Sequence, residues 1–243
     1  MTTQEGKTRA SLDALPEAVR KRVDELRDAL VKAVGDKLSA MIVFGSAARG
    51  GWRDGRSDVD VMLVLTDDGR ETLERIGHPL LLARYAARIE AIILRADEVG
   101  RAADVFPLLY DEVREDGVVL HGKSPFTTLA IANTHRRLRI EQELREARTR
   151  LRRMVTDGDG AAVALANTVE RKLRQVRSPL RALLKLRGED PGSGLDVVLA
   201  AAGKAWDVDI SVFARTQETP AVAYDALAKL LGAAIDDVDR RTL

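Results

Sequence analysis

The sequence predicts an α+β chain, with a part that mixes strands and helices followed by an all-helical part. Three observations carry that expectation. Short apolar runs of strand composition, AMIVF (40–44), DVDVMLVL (58–65) and IEAIIL (89–94), alternate with helical stretches over the first half. Beyond Phe126 such runs stop, and the segments 127–154 and 161–187 have helical length and periodicity. The composition changes near 123–127, which sets the expected division: residues 1–124 as one domain and 125–243 as a helical bundle.

The elements follow in order. Leu15, Val19, Val23, Leu26, Leu30 and Val34 recur at helical steps and form one apolar stripe, with Pro16 in the first turn and Gly35 at the end. The first strand, 40–44, breaks at Gly45, and a polar, Gly-rich connection leads to the strand 58–65. A helix is expected from about Pro79 to Arg88, with Leu81, Leu82 and Tyr85 available to pack. The third strand, 89–94, puts Glu90 on the face of Ile92 and Leu94. A short helix over 108–114 precedes an edge strand, VVLH. In the second half, Leu138, Glu141, Leu144, Arg148 and Leu151 give the mixed face of a long, partly exposed helix. TDGDG (156–160) separates it from the next helix, and GEDPGSG (188–194) precedes two or three shorter ones, the last starting near Pro220.

Composition narrows the function classes. The 243 residues are 45% hydrophobic and 32% charged, too apolar for general disorder and ample for a core. No apolar run reaches a membrane span, so no membrane partner is expected. The segment MTTQEGKTRASLDALPE lacks the apolar core of a secretory signal, and cysteine is absent, which excludes disulfides, thiolate nucleophiles and cysteine metal sites. A cytoplasmic location fits these features. The net charge of +1 is uneven: residues 1–126 carry −3, residues 127–189 carry +8, and residues 190–243 carry −4. The basic stretch is either a solvated helix surface or a face for a polyanion such as RNA.

Two acids interrupt the apolar strand. Asp58 and Asp60 are two residues apart, so both carboxylates leave a rigid strand on one face. Such a pair repels itself unless a cation compensates it. Glu90, on the next strand, joins them if the two strands are neighbours. Three oxygen donors of this kind suit a divalent ion, and paired Mg2+ ions would grip a triphosphate. The alternative is that the aspartates cap loops or pair with Arg53 and Arg56. Upstream, Gly45 lets an anion approach the backbone and the Ser46 hydroxyl can donate to a phosphate oxygen. Arg49 and Arg56 flank the turn as phosphate ligands, or else pair with Asp54 or Asp67. Ser57 is a further phosphate-binding candidate, and Trp52 either stacks on a base or packs locally.

The order hydrophobic strand, Gly-Ser, eleven residues, Asp-Val-Asp-Val resembles the nucleotidyltransferase signature of the DNA polymerase beta-like superfamily. VFGSAARGGWRDGRSDVDVMLVL looks most like the minimal and the aminoglycoside nucleotidyltransferases, over roughly residues 15–121. The resemblance implies a small mixed sheet flanked by helices, with Asp58 and Asp60 holding two Mg2+ ions and Gly45 and Ser46 engaging an NTP, ATP being the expected donor. It also implies Glu90 as third metal carboxylate, general base or both. The expected activity is transfer of a nucleoside monophosphate to an acceptor hydroxyl, with pyrophosphate released. The acceptor is a small molecule such as an aminoglycoside, an RNA or a protein. The alternative is a catalytically weak nucleotide sensor or antitoxin-like module.

Other motifs are discounted. GVVLHGKS (117–124) spells a P-loop, but its putative loop has strand composition and Pro125 follows at once. TDGDG runs out of calcium ligands at Asp159, and His78, His121 and His135 lack zinc spacing. His121 is a structural histidine or an acid/base facing the cleft. The helical half faintly resembles the bundles that accompany minimal nucleotidyltransferases, including HEPN-type ones. The Arg-to-His spacing of HEPN ribonucleases occurs only from Arg114 to His121, across a turn and strand in the other domain. The bundle is therefore expected to choose the acceptor or to form a homodimer.

Overall fold

A computed structural model describes residues 10–157 and 161–241. The chain forms two compact units, one ending at Ala130 and one beginning at Ile131. The glycines and Asp159 of the TDGDG turn lie outside the described residues.

The first unit runs α1 (Glu17–Val34), β1 (Leu38–Phe44), α2 (Gly45–Ala48), β2 (Val59–Leu65), α3 (Arg70–Ala87), β3 (Ile89–Arg95), α4 (Glu98–Arg101), α5 (Pro107–Asp116) and β4 (Val118–Gly122). The described strands make one four-stranded sheet in the order β3-β2-β1-β4. β1 pairs antiparallel with β2 and β4, while β2 and β3 are parallel, so the sheet is mixed. The parallel pair needs a crossover, and α3 supplies it. β1 and β2 lie in the middle with nearly every residue buried, which is why they read as unbroken apolar runs. Leu26 and Leu30 of α1 pack there with Met41, Val43, Val61, Leu63 and Ile76.

One expectation needs correction. α3 begins nine residues before Pro79, and the proline lies inside the helix. Thr72, Ile76 and Ala83 are buried, with Leu80 and Ala87 packed against the core, so these residues form the inward stripe. Leu82 and Tyr85 are instead 56% and 81% exposed, and Leu81 is exposed as well. Thr and Ala carry little hydrophobic signal, so the larger outward residues misled the reading of the face. Residues 117–124 are as expected. VVLHG forms the edge strand β4, with Val118 and Val119 opposite Val43 and Ile42, and no phosphate loop. Gly122 has φ +68°, and a Cβ there would lie 1.9 Å from the Ser39 carbonyl oxygen. That glycine serves strand pairing.

The second unit contains α6 (Asn133–Asp157), α7 (Ala162–Leu186), α8 (Leu195–Trp206) and α9 (Pro220–Asp239). α7 packs against α6, α8 and α9, making the helical region expected. Ile140, Leu144 and Leu151 of α6, Leu173, Leu180 and Leu184 of α7, and Leu227, Leu231 and Ile235 of α9 are buried. Leu138 is exposed, in keeping with a mixed helix face. Asp237 accepts from Arg187 at 2.6 Å, the Trp206 indole at 3.0 Å and Arg241 at 3.1 Å, joining the ends of α7, α8 and α9. Among the described residues, no helix is long and apolar enough to cross a membrane.

Candidate active site

Asp58 stands one residue before β2 and Asp60 is the strand's second residue. Asp60 pairs across the sheet with Phe44 on β1 and with Glu90 on β3. The adjacency on which the three-acid argument depended is therefore present: strand register sets Glu90 beside Asp60. Asp60 also packs directly on the turn that ends β1. Gly45 has φ +72°, and a Cβ at that position would lie 2.4 Å from Asp60 Oδ2. Both the backbone conformation and the close approach exclude a larger residue.

The electrostatics single out Asp60. Burial, followed by the charges of Asp58, Glu112 and Glu90, pushes its carboxyl up to about 6, while Arg49 opposes them. The other two acids lie nearer solvent. Asp58 Oδ1 accepts from Arg88 Nε at 2.8 Å, and Arg88 Nη1 also donates to the Gly55 carbonyl at 3.3 Å. Glu90 Oε2 accepts from Arg84 Nη2 at 2.5 Å and Nε at 3.1 Å. Arg84 and Arg88 lie one turn apart at the end of α3. Arg88 takes a left-handed conformation, φ 52°, rare for a side chain of its size. Its carbonyl accepts from Val59 N at 3.0 Å, tying the strained residue to the start of β2.

The phosphate-binding candidates divide. Ser46 follows Gly45 in the single turn of α2, and its carbonyl accepts from Gly51 N at 2.9 Å. Arg49 closes that turn and pairs with Glu112 of α5. Asp67, a partner considered for Arg49 or Arg56, instead accepts from Lys37, Thr72 and the Gly69 amide, which hold its carboxyl well below the usual range. Arg56 is exposed in the loop, and Ser57 Oγ accepts from Arg53 N at 3.1 Å, bracing that loop from within. Trp52 packs against the core of the unit, the local alternative to base stacking. His121 is half-buried on β4 opposite Met41. Sequence reasoning missed Glu112, Arg84 and Arg88. The last two carried a faint signal, a four-residue helical spacing just before Glu90, whereas Glu112 is recruited only by the fold.

The donor chemistry suits a hard divalent cation: carboxylate oxygens, one of them half-buried among like charges. Among the described residues, however, no group of three His, Asp or Glu side chains is drawn together in ligating geometry. Each outer acid lowers its energy by turning to a guanidinium, Asp58 to Arg88 and Glu90 to Arg84, and so away from its neighbours. These pairs are half-exposed and worth little, about 0–1 kcal/mol each, so they are weak competitors for the two carboxylates.

Residues 23–120 match the family described as nucleotidyltransferase domain, a span that holds Gly45, Ser46 and all four acids. Residues 23–120 thus carry a nucleotidyltransferase domain. A solved structure with the same fold is the spectinomycin adenyltransferase AAD(9) from Enterococcus faecialis, crystallised with ATP and spectinomycin. It aligns with a TM-score of 0.55 at 12% identity, covering 91% of this chain and 99% of that one. The likeness thus extends through the helical unit. No curated protein matches the sequence.

Proposed function

We propose that this nucleotidyltransferase moves a nucleoside monophosphate from ATP to a hydroxyl of a small-molecule acceptor. The observation that carries the reading is the register of β2 and β3, which sets Asp60 beside Glu90 while Gly45 packs on Asp60. Asp58, Asp60 and Glu90 would hold Mg2+, which when bound supplies charge neutralisation for the triphosphate and the leaving pyrophosphate. Gly45 and Ser46 receive the phosphates, with Arg49 and Arg56 beside them and Ser57 bracing the loop. Glu90 takes the proton of the acceptor hydroxyl. The oxygen then forms a bond to the α-phosphorus as the bond to the β-phosphate oxygen breaks and pyrophosphate departs. Positioning and charge do most of the work.

A small molecule is favoured over RNA because the basic stretch is not a bare cationic face. On α6, Arg137 and Arg145 pair with Glu141, Arg139 with Glu143, Arg150 with Glu146, and Arg153 with Asp157. Acids thus intersperse the arginines along α6, although the net +8 of residues 127–189 already counts them. The neighbouring AAD(9) structure, solved with ATP and spectinomycin, supports the same donor and acceptor classes.

The test is incubation with Mg2+, each α-labelled NTP and fractionated cell extract or an aminoglycoside panel. Label is expected from ATP in a small-molecule product, with stoichiometric pyrophosphate, and none for the Asp58→Ala/Asp60→Ala chain. Label entering RNA or protein would overturn the acceptor class. Tight nucleotide binding without transfer to any acceptor would favour the sensor reading.

A further inference from the structure

One ion pair near Asp60 belongs to none of the strand acids. Glu112 projects from α5, which packs on both α2 and β1. Its Oε1 accepts from Arg49 Nη1, and the two side chains are only 14% and 12% exposed. The Arg49 backbone is held independently, since its amide donates to the Gly45 carbonyl at 3.3 Å to close α2. Arg49 is thus anchored at both ends, by the Gly45 turn through its backbone and by α5 through its guanidinium. Both charges of the pair act on Asp60.

Without Glu112, the nearest ways to neutralise Arg49 would include Asp60 itself. A guanidinium folded onto Asp60 would occupy the acid that the strand aims and would turn away from an incoming anion. Glu112 competes for the same guanidinium. The contact uses Nη1, and a guanidinium carries five N–H donors, so donors remain for a phosphate oxygen. A long, flexible side chain also loses less freedom on binding when it is already fixed.

We propose that Glu112 is a positioning residue for nucleotide binding, holding Arg49 beside the Gly45–Ser46 turn and off Asp60. This rests on the nucleotidyltransfer reading above, and its test reads binding rather than turnover. Equilibrium dialysis with labelled ATP and Mg2+ would compare wild type, Glu112→Gln, Arg49→Gln and the double variant. Glu112→Gln is expected to raise the ATP Kd about tenfold and KM in parallel, with a smaller fall in kcat, and Glu112→Asp to restore part of the loss. The double variant is expected to bind no worse than Arg49→Gln alone. It also removes both charges of the pair together, so no single buried charge is left unpaired, which guards against a misfolded single variant. An unchanged Kd in a Glu112→Gln chain that merely melts earlier would make the residue a packing partner and overturn the proposal. A further loss on adding Glu112→Gln to Arg49→Gln would overturn it too, because Glu112 would then act apart from Arg49. Wild type that binds ATP and transfers nothing would count against the transfer reading alone, whereas wild type that binds no nucleotide would overturn both.

Discussion

Substitution of Gly45 by alanine tests the central feature of the site, the contact between the end of β1 and Asp60. The new Cβ would sit 2.4 Å from Asp60 Oδ2, against about 3.4 Å for ordinary contact, so the carboxylate must withdraw by about 1 Å. The backbone φ of +72° adds a cost of about 1–2 kcal/mol for a residue with a Cβ. Driving Asp60 from its rotamer adds about 0.5–1.5 kcal/mol, for a total of roughly 1.5–3.5 kcal/mol. The effect on turnover is expected to be larger in kind, since a misplacement of about 1 Å in a reacting centre can cost about a hundredfold in rate. Gly55→Ala is the control: its φ is +67°, yet nothing lies within 4 Å of the added Cβ. It carries the backbone cost without moving a carboxylate. Urea unfolding would give the two stability changes, and pyrophosphate release under saturating ATP would give the rates. Gly45→Ala is expected to lose about two orders of magnitude in turnover while Gly55→Ala stays within a few-fold of wild type. Equal turnover in the two variants, or equal stability losses, would refute the claim that Gly45 is kept for Asp60.

Two further outcomes are expected away from that contact. Asp237→Asn should cost about 2–3 kcal/mol, because the carboxylate is largely buried and answers two arginines and an indole. Burial alone would raise the Asp237 carboxyl, but Trp206, Arg187 and Arg241 together hold it below its ordinary value. The folded state therefore favours the ionised form, so the stabilisation is complete above the unfolded carboxyl range near pH ~4 and is lost as pH falls through the folded value. The stabilities of wild type and Asp237→Asn should accordingly begin to converge as pH falls below about 4, and a gap that does not narrow with further acidification would contradict the ionic account. Lys123→Ala tests the discounted GKS match: since the preceding residues form β4, the ATP Kd is expected to stay within about twofold of wild type. A tenfold loss would show that Lys123 reaches the nucleotide after all.

How much was legible in the sequence depended on how far apart in the chain the interacting residues lie. The acids and the Gly45 turn were readable because a strand's two-residue repeat and a glycine break are local features, and one short stretch contains both. The partnership of Asp60 with Glu90 required only that two strands be neighbours, which the α3 crossover makes natural. The inward face of α3 was lost because Thr72, Ala83 and Ala87 bury well but signal weakly, while Leu82 and Tyr85 signal strongly and face outward. Glu112 was beyond reach for a different reason. It lies 63 residues from Arg49 on a helix whose only local feature is amphipathicity, and nothing in DEVRED marks one acid over its neighbours.

The arginines complete the physical argument. Four carboxylates, Asp58, Asp60, Glu90 and Glu112, gather around one end of the sheet, and three of them have a guanidinium partner from Arg88, Arg84 and Arg49 respectively. The exception is Asp60, the most withdrawn of the strand acids and the one whose proton affinity is raised. Its neighbours are neutralised by residues that the fold fixes elsewhere, on α3 and beside α2, so the uncompensated charge is concentrated on a single strand position. A cation arriving at the site would meet its strongest unpaired attraction there, with Asp58 and Glu90 yielding from weak, half-exposed pairs. The sheet thus fixes where the acids stand, and the surrounding arginines determine which of them is left to act.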